Sequence, residues 1–284
     1  MSDSHFPSYE KISNSQVLLH PNPRGIIQFV GGFVFGSFPA WSYKYLLQFL
    51  FDQGYSIILY KFPFNLIQFN HWEVSLELLK EQSLLKTQIV EFLRHRHQPI
   101  DVVELYAKQE SYLWLGHSLG CKYIILLEIL SNQKDRRKKI LNEALGESAK
   151  DILGKIENEQ ANLEESINPN FIRDQPSILL APEISNTVRF LRSSWRVSNN
   201  KAQPNQQQTE SLIRASNELF NLTGIISFSQ DEIAEDDVVF LREKFQGKNK
   251  SLYQEIWGWH FEPLSIRTEG IGGLIVNFFD KLKL

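Results

Sequence analysis

The sequence predicts an α/β protein: a mostly parallel, doubly wound sheet with helices on both faces and a helical insertion in its second half. Three observations carry this. Short blocks rich in β-branched and aromatic residues alternate with segments of helical apolar spacing, glycines and prolines fall between the blocks, and one polar stretch, Ser131 to Asp174, interrupts the alternation without ending it. With 284 residues and 42% hydrophobic content the chain can bury one sizeable core. Residues 1–284 are therefore expected to form a single domain, with 131–174 as a lid-like helical insertion.

The elements follow in order. "SQVLLHP" (Ser15 to Pro21) and "GIIQFV" (Gly25 to Val30) read as strands, the second ended by paired glycines. From Trp41, apolar residues at Tyr45, Leu46, Phe49 and Leu50 keep a helical spacing that Gly54 stops, and "YSIILYKF" returns to strand. Glu73 to Arg94 carries Leu78, Leu85, Ile89 and Phe92 on one stripe, a crossover helix. "SYLWLG" is the next strand and "CKYIILLEIL" the next helix. After the polar insertion, "PSILLAPEIS" resumes the sheet and "TVRFLRSSW" is read as helical. Asn199 to Gln208, "NNKAQPNQQQ", is read as a mobile polar loop. The series closes as helix "TESLIRASNELF", strand "GIISFS", helix "DDVVFLREKFQG", strand "SLYQEIWGW" and helix "GIGGLIVNFFDKL".

Charge and composition narrow the partners. Thirty basic and 33 acidic residues give a net charge of −3, so no global field favours nucleic acid. A single cysteine, Cys121, cannot close an internal disulfide, and the N-terminus lacks the basic and apolar regions of a signal peptide, so a reducing, cytoplasmic setting is expected. The most apolar window, Phe29 to Phe51, is broken by Gly31, Gly32, Gly36, Pro39, Lys44 and Gln48, and no transmembrane segment is expected.

The chemistry concentrates in "GHSLG". A strand ending at Gly116, a turn through Ser118 and a helix entered after Gly120 have the layout of a nucleophile elbow, in which glycines two residues either side permit a close backbone crossing. The five-residue pattern alone is weak, because a turn serine without chemistry fits it too. A serine nucleophile needs a histidine base oriented by an acid, and on sheets of this kind the chain order is nucleophile, acid, histidine. Asp231 follows the strand "GIISFS" and His260 follows "SLYQEIWGW", which supplies that order at one sheet edge. Glu232 and Glu235 also follow the first of these strands, while Asp236 and Asp237 read as the acidic first turn of the next helix.

Around that trio, the backbone N–H groups of Leu119 and, after the Gly31-Gly32 pair, Phe33 are the expected oxyanion donors; a plain glycine turn is the alternative at the second position. Gly32, Phe35, His71, His117 and Trp259 are the candidates for the substrate pocket. His71 either lines the pocket or caps a helix, and His117 is expected to point away from Ser118, with packing as its plain role. His5 and His20 lie in the N-terminal region. His95 and His97 make no metal site without further ligands, and no cofactor is expected.

These residues carry a resemblance. Gly116 to Gly120, with Asp231 and His260 in order, resembles the α/β-hydrolase superfamily. "FVGGFVFGSFPAWSYKYLLQFLFDQGYSIILYKFPF", "FNH", "GHSLGCK", "QTESLIRASNELFNLTGIISFSQDEIAE" and "GWHFEPL" more closely resemble the domain of unknown function 1350 family of cyanobacteria and plastids. The resemblance implies an α/β-hydrolase fold and a photosynthetic host, and brings no substrate with it.

Two functional expectations follow. The first is a hydrolase that cleaves an ester or thioester through a Ser118 acyl-enzyme. Phe33, Phe35, Phe38, Trp41, Phe62, Phe64, Trp257, Trp259 and Phe261 near the presumed mouth would favour a lipid-like acyl or prenyl chain. On that reading the basic run Lys134, Arg136, Arg137, Lys138 and Lys139 either leans on anionic lipid, as a contact with an internal membrane, or is a solvated helix face. The second is a non-catalytic binding or assembly protein on the same scaffold, using the insertion and the Asn199 to Gln208 loop as contact surfaces.

Overall fold

The computed structural model describes residues 8–61, 70–161, 172, 175–185, 202–248 and 250–283. Their eight strands are β1 (Glu10–Ile12), β2 (Ser15–Leu18), β3 (Gly25–Val30), β4 (Tyr55–Tyr60), β5 (Tyr112–His117), β6 (Ser177–Leu180), β7 (Thr223–Phe228) and β8 (Leu252–Ile256). They form one sheet in the order β1-β2-β4-β3-β5-β6-β7-β8. Pairing is antiparallel from β1 through β2 to β4 and parallel from there on. The helices are α1 (Pro39–Ser42), α2 (Lys44–Asp52), α3 (His71–His95), α4 (Ile100–Ala107), α5 (Leu119–Leu130), α6 (Lys134–Leu145), α7 (Ala149–Ala161), α8 (Gln206–Ala215), α9 (Glu235–Phe245) and α10 (Glu269–Lys283). Among the described residues no helix is long and apolar enough to cross a membrane.

Strand alternation builds two apolar layers. Ile26, Ile58, Tyr60, Trp114, Leu179 and Ile225 face one core, with α3, α4, α5 and α8, while their neighbours Ile27, Ile57, Leu59, Leu113, Ile178 and Ile226 face the other, with α2 and α10. Because both faces are covered, β3 to β7 read as continuous apolar runs, which is why they were legible. Helix α5 is buried along its whole length, including Lys122 and Glu128, and packs on β5 and α3.

Three differences from the sequence reading have physical causes. β1, ahead of the first strand expected, is a three-residue edge strand carrying Glu10 and Lys11, too short and too charged to show a period. α4 is an unforeseen helix, eight residues long, between α3 and β5. The polar stretch from Asn199 to Gln208 does not stay a loop: Gln206 to Gln208 are the first turn of α8, because Asn205 and Gln208 cap each other reciprocally. Asn199 to Lys201, like the expected helix Thr187 to Trp195 and the aromatics Phe62 and Phe64, lie outside the described residues.

The insertion folds as α6 and α7 and packs on α8, α3 and α5. Its basic run is not one solvated or lipid-facing surface. Arg137 is buried and donates from Nη1 to the carbonyls of Leu130 (2.9 Å) and Asn132 (3.0 Å), closing the C-terminus of α5. Arg136 pairs with Glu218 and Lys134 lies 3.6 Å from Glu157.

Candidate active site

β5 runs straight into Ser118, whose φ of 54° and ψ of −123° put a non-glycine residue in a region that L side chains rarely adopt. The turn is pinned from several sides. Ser118 N donates to the Leu180 carbonyl at 3.0 Å, and the Ser118 carbonyl accepts from Cys121 N (3.0 Å) and Glu183 N (3.2 Å). Both flanking glycines are crowded by backbone: a Cβ on Gly120 would land on the Val30 carbonyl oxygen, and one on Gly116 would sit 3.0 Å from Cys121 N and Cα. The strained turn lifts the hydroxyl above the sheet edge at the N-terminus of α5.

At that edge the loops after β7 and β8 deliver their residues. His260 Nε2 lies 2.8 Å from Ser118 Oγ, and His260 Nδ1 lies 2.8 Å from Asp231 Oδ2; all three side chains are buried. The other carboxylate oxygen of Asp231 accepts from Ile233 N (2.9 Å) and Ala234 N (3.1 Å). A carboxylate held by two amides accepts from Nδ1–H, which leaves Nε2 to accept the serine proton. Asp236 and Asp237 fall in the first turn of α9 as the sequence indicates, but Asp237 turns inward and accepts from Ile184 N and Ser185 N at 2.7 and 2.9 Å.

Leu119 is the first residue of α5, so its N–H has no helical partner and faces the serine's end of the helix. Gly32 lies against the serine: a Cβ placed on it would be 3.0 Å from Ser118 Cβ. The Gly32 N–H itself is spent on Tyr43 Oη at 2.7 Å, and its carbonyl accepts from Gly36 N. Half-buried Phe33 follows. Phe35 meets Phe261 edge-on at 5.8 Å, and Phe261 in turn meets His260 at 5.1 Å. Trp259, just before His260, is 55% exposed.

Two of the predicted histidines are buried and hydrogen-bonded. His71 is the first residue of α3, buried, and bonded through Nδ1 to Tyr123 Oη at 3.1 Å; the cap is Asn70, whose side chain accepts from Glu73 N. His117 is fully buried, since alternation along β5 turns it into the core, and bonds to Tyr43 Oη (2.8 Å) and to the His260 carbonyl (2.9 Å). Burial, and next the neighbouring His260, push its pKa down to about 3.

Sequence reasoning missed Tyr43 and Lys122. Tyr43 lies between Ser42 and Lys44 in an aromatic-rich stretch where a tyrosine reads as packing. Lys122 is fully buried four residues after Ser118; its Nζ donates to the Pro204 carbonyl at 2.7 Å, burial lowers its pKa, and the Glu183 and Asp237 carboxylates pull it back up. Its position in "CKYIILLEIL", a helix with no other charge but Glu128, was the available signal. Among the described residues no group of three or more His, Cys, Asp or Glu side chains is arranged to hold a metal ion. A cleft of about 440 Å³ beside β2 and α3, lined by Ser15, Tyr60, Lys61, Glu77 and Glu81, contains none of the predicted site residues.

The model of a family described as protein of unknown function (DUF1350) matches residues 8–280. No curated protein matches the chain. Among solved structures, a Lactobacillus plantarum protein classed as a carboxylesterase is similar with a TM-score of 0.55 and 14% identity, covering 96% of each chain. The Pyrococcus furiosus esterase Pf2001 is similar with a TM-score of 0.53 and 11% identity, covering 98% of this chain and 92% of that one. At such identities the likeness is one of fold: the eight-stranded, mostly parallel sheet flanked by helices is the α/β-hydrolase fold.

Proposed function

The chain belongs to the DUF1350 family, and on that premise we propose that it is a serine hydrolase cleaving an ester or thioester through an acyl-enzyme on Ser118. The observation that carries the reading is the buried line Ser118 Oγ, His260, Asp231, each step 2.8 Å long. Similarity in fold to proteins named esterases supports the same class.

The steps follow from the geometry. Ser118 Oγ attacks the substrate's carbonyl carbon while its proton passes to His260 Nε2, and the resulting imidazolium is held by Asp231. The carbonyl oxygen gains charge and takes the N–H groups of Leu119 and Phe33. The tetrahedral adduct then expels the alcohol or thiol, protonated by His260 Nε2. Water attacks the acyl-serine, giving its proton to the same nitrogen, and the acid leaves as Ser118 Oγ recovers its proton.

Exposed aromatics in the segments after β3 and β8, the strands that lead into Phe33 and His260, favour an apolar acyl or prenyl group. Phe38 (65%), Trp41 (81%), Trp257 (74%) and Trp259 (55%) are widely exposed, and the Phe35–Phe261 contact joins the loop after β3 to the loop after β8. The test is labelling with a fluorophosphonate. Native protein should react and Ser118→Ala should not; equal reaction of the two would leave the non-catalytic scaffold reading in its place. Turnover of p-nitrophenyl esters should rise with acyl length, and a strict preference for acetate would overturn the apolar substrate class.

A further inference from the structure

His117 and Tyr43 have no part in those steps, yet they form a continuous hydrogen-bonded path across the site. His117 Nε2 lies 2.9 Å from the backbone carbonyl of His260, an acceptor only, so Nε2 must carry the hydrogen. A neutral ring then presents a lone pair at Nδ1, and Tyr43 Oη, 2.8 Å away, must donate to it. Tyr43 Oη in turn accepts the Gly32 N–H at 2.7 Å. Every donor and acceptor in the path is thereby fixed in one direction. We propose that Tyr43 and His117 are positioning residues that hold the loop bearing Phe33 and the backbone of His260 in register about Ser118.

The proposal rests on the hydrolase reading and deepens it. Each end of the path is a part that must be placed to a fraction of an ångström: Gly32 precedes the second oxyanion donor, and the His260 carbonyl belongs to the base. By accepting from the Gly32 N–H, Tyr43 anchors the residue directly before Phe33. The loop is packed onto the same ring, since a Cβ on Gly31 would sit 2.9 Å from Tyr43 Cε2. The Tyr43 ring is itself wedged edge-on against Phe29 at 4.6 Å and His117 at 5.5 Å. A cationic His117 would need to donate from Nδ1, turning the Tyr43 hydroxyl hydrogen away from its partner and placing a charge beside the His260 ring, whose centroid is 5.2 Å away. Burial, which keeps the His117 ring neutral and the Tyr43 phenol protonated, supports this polarity.

The test compares full-length native protein with Tyr43→Phe, His117→Phe, His117→Gln and the double Tyr43→Phe/His117→Phe variant. Thermal denaturation selects the folded ones. Tyr43→Phe removes one oxygen, and it should lower kcat by about 10- to 100-fold while KM stays within about threefold. His117→Phe should match it, the double variant should be no worse than either single, and His117→Gln, which keeps a donor for the His260 carbonyl, should recover most of the loss. A folded Tyr43→Phe protein with kcat within about twofold of native overturns the proposal. If His117→Phe does not fold, the Tyr43→Phe result stands alone. If native protein shows no Ser118-dependent turnover or labelling, the hydrolase reading has failed, and imidazole 15N NMR then decides the path by itself. His117 should be the neutral Nε2–H tautomer from pH 5 to 8, with Tyr43→Phe shifting the His260 resonances; unmoved His260 signals would overturn it.

Discussion

His117 and Lys122 are two protonatable side chains that the fold encloses completely, and in each a nitrogen donates to a backbone carbonyl. For His117 the consequence can be measured. Its folded pKa, about 3, lies below the unfolded value of about 6.5, so between those pH values the unfolded chain binds a proton that the native protein refuses. The group therefore costs no stability above pH 6.5, and stability falls as the pH drops from there toward 3. Urea unfolding at pH 6 and pH 4.5 should show a loss of about 1.4 kcal/mol per pH unit from this residue. His117→Gln should lack that part of the slope; equal slopes would show that the native ring charges in place. The residue scale also shows what sequence can miss. The order of Ser118, Asp231 and His260 and their places at strand ends are legible along the chain. Tyr43 is not, because a tyrosine looks the same in sequence whether its hydroxyl is idle or bonded to two neighbours.

At the scale of elements, the elbow and the insertion treat glycine in opposite ways. Gly120 follows Ser118 on the first turn of α5, where the helix crosses the end of β3 so closely that any Cβ meets the Val30 and Gly31 carbonyls. Backbone cannot yield as a flexible side chain can, so Gly120→Ala should destabilise by about 3 kcal/mol or more and abolish labelling of Ser118. Gly154, inside α7, has nothing within 4 Å of a built Cβ. There Gly154→Ala should raise stability by about 0.5–1 kcal/mol through helix propensity and a less flexible unfolded chain. Thermal melts of the two variants should move in opposite directions, and a shared direction would count against the contact argument. Local pattern made both helices legible, whereas the contrast between their glycines depends on what each helix crosses. The end of α5 makes the same point: Arg137 reads as one charge in a basic run, and only the return of α6 beside Leu130 makes it a cap.

For the whole molecule, the insertion is part of the core. Ile140, Leu141, Ala149 and Ile156 are buried in the same apolar cluster as Trp114 and the α5 side chains, and Lys155 reaches Glu73 at 3.4 Å, two residues from His71. A chain in which a short linker replaces residues 134–161 should therefore lose cooperative unfolding and expose apolar surface. Dye binding and calorimetry would show it; an intact melt would mean that α6 and α7 are an accessory cover. The alternating α/β order, the both-faces-buried character of β3 to β7, the elbow around Ser118 and the sheet-edge positions of Asp231 and His260 are all legible along the chain. These depend on residue period and glycine placement, which are local. It took the folded molecule to bring Ser118, His260 and Asp231 together at 2.8 Å, to join Gly32 to the His260 backbone through His117 and Tyr43, and to close α5 with Arg137. The tertiary contacts among these join segments far apart in the chain, and whether a buried polar atom finds its partner depends on directions in space that no single stretch of sequence encodes.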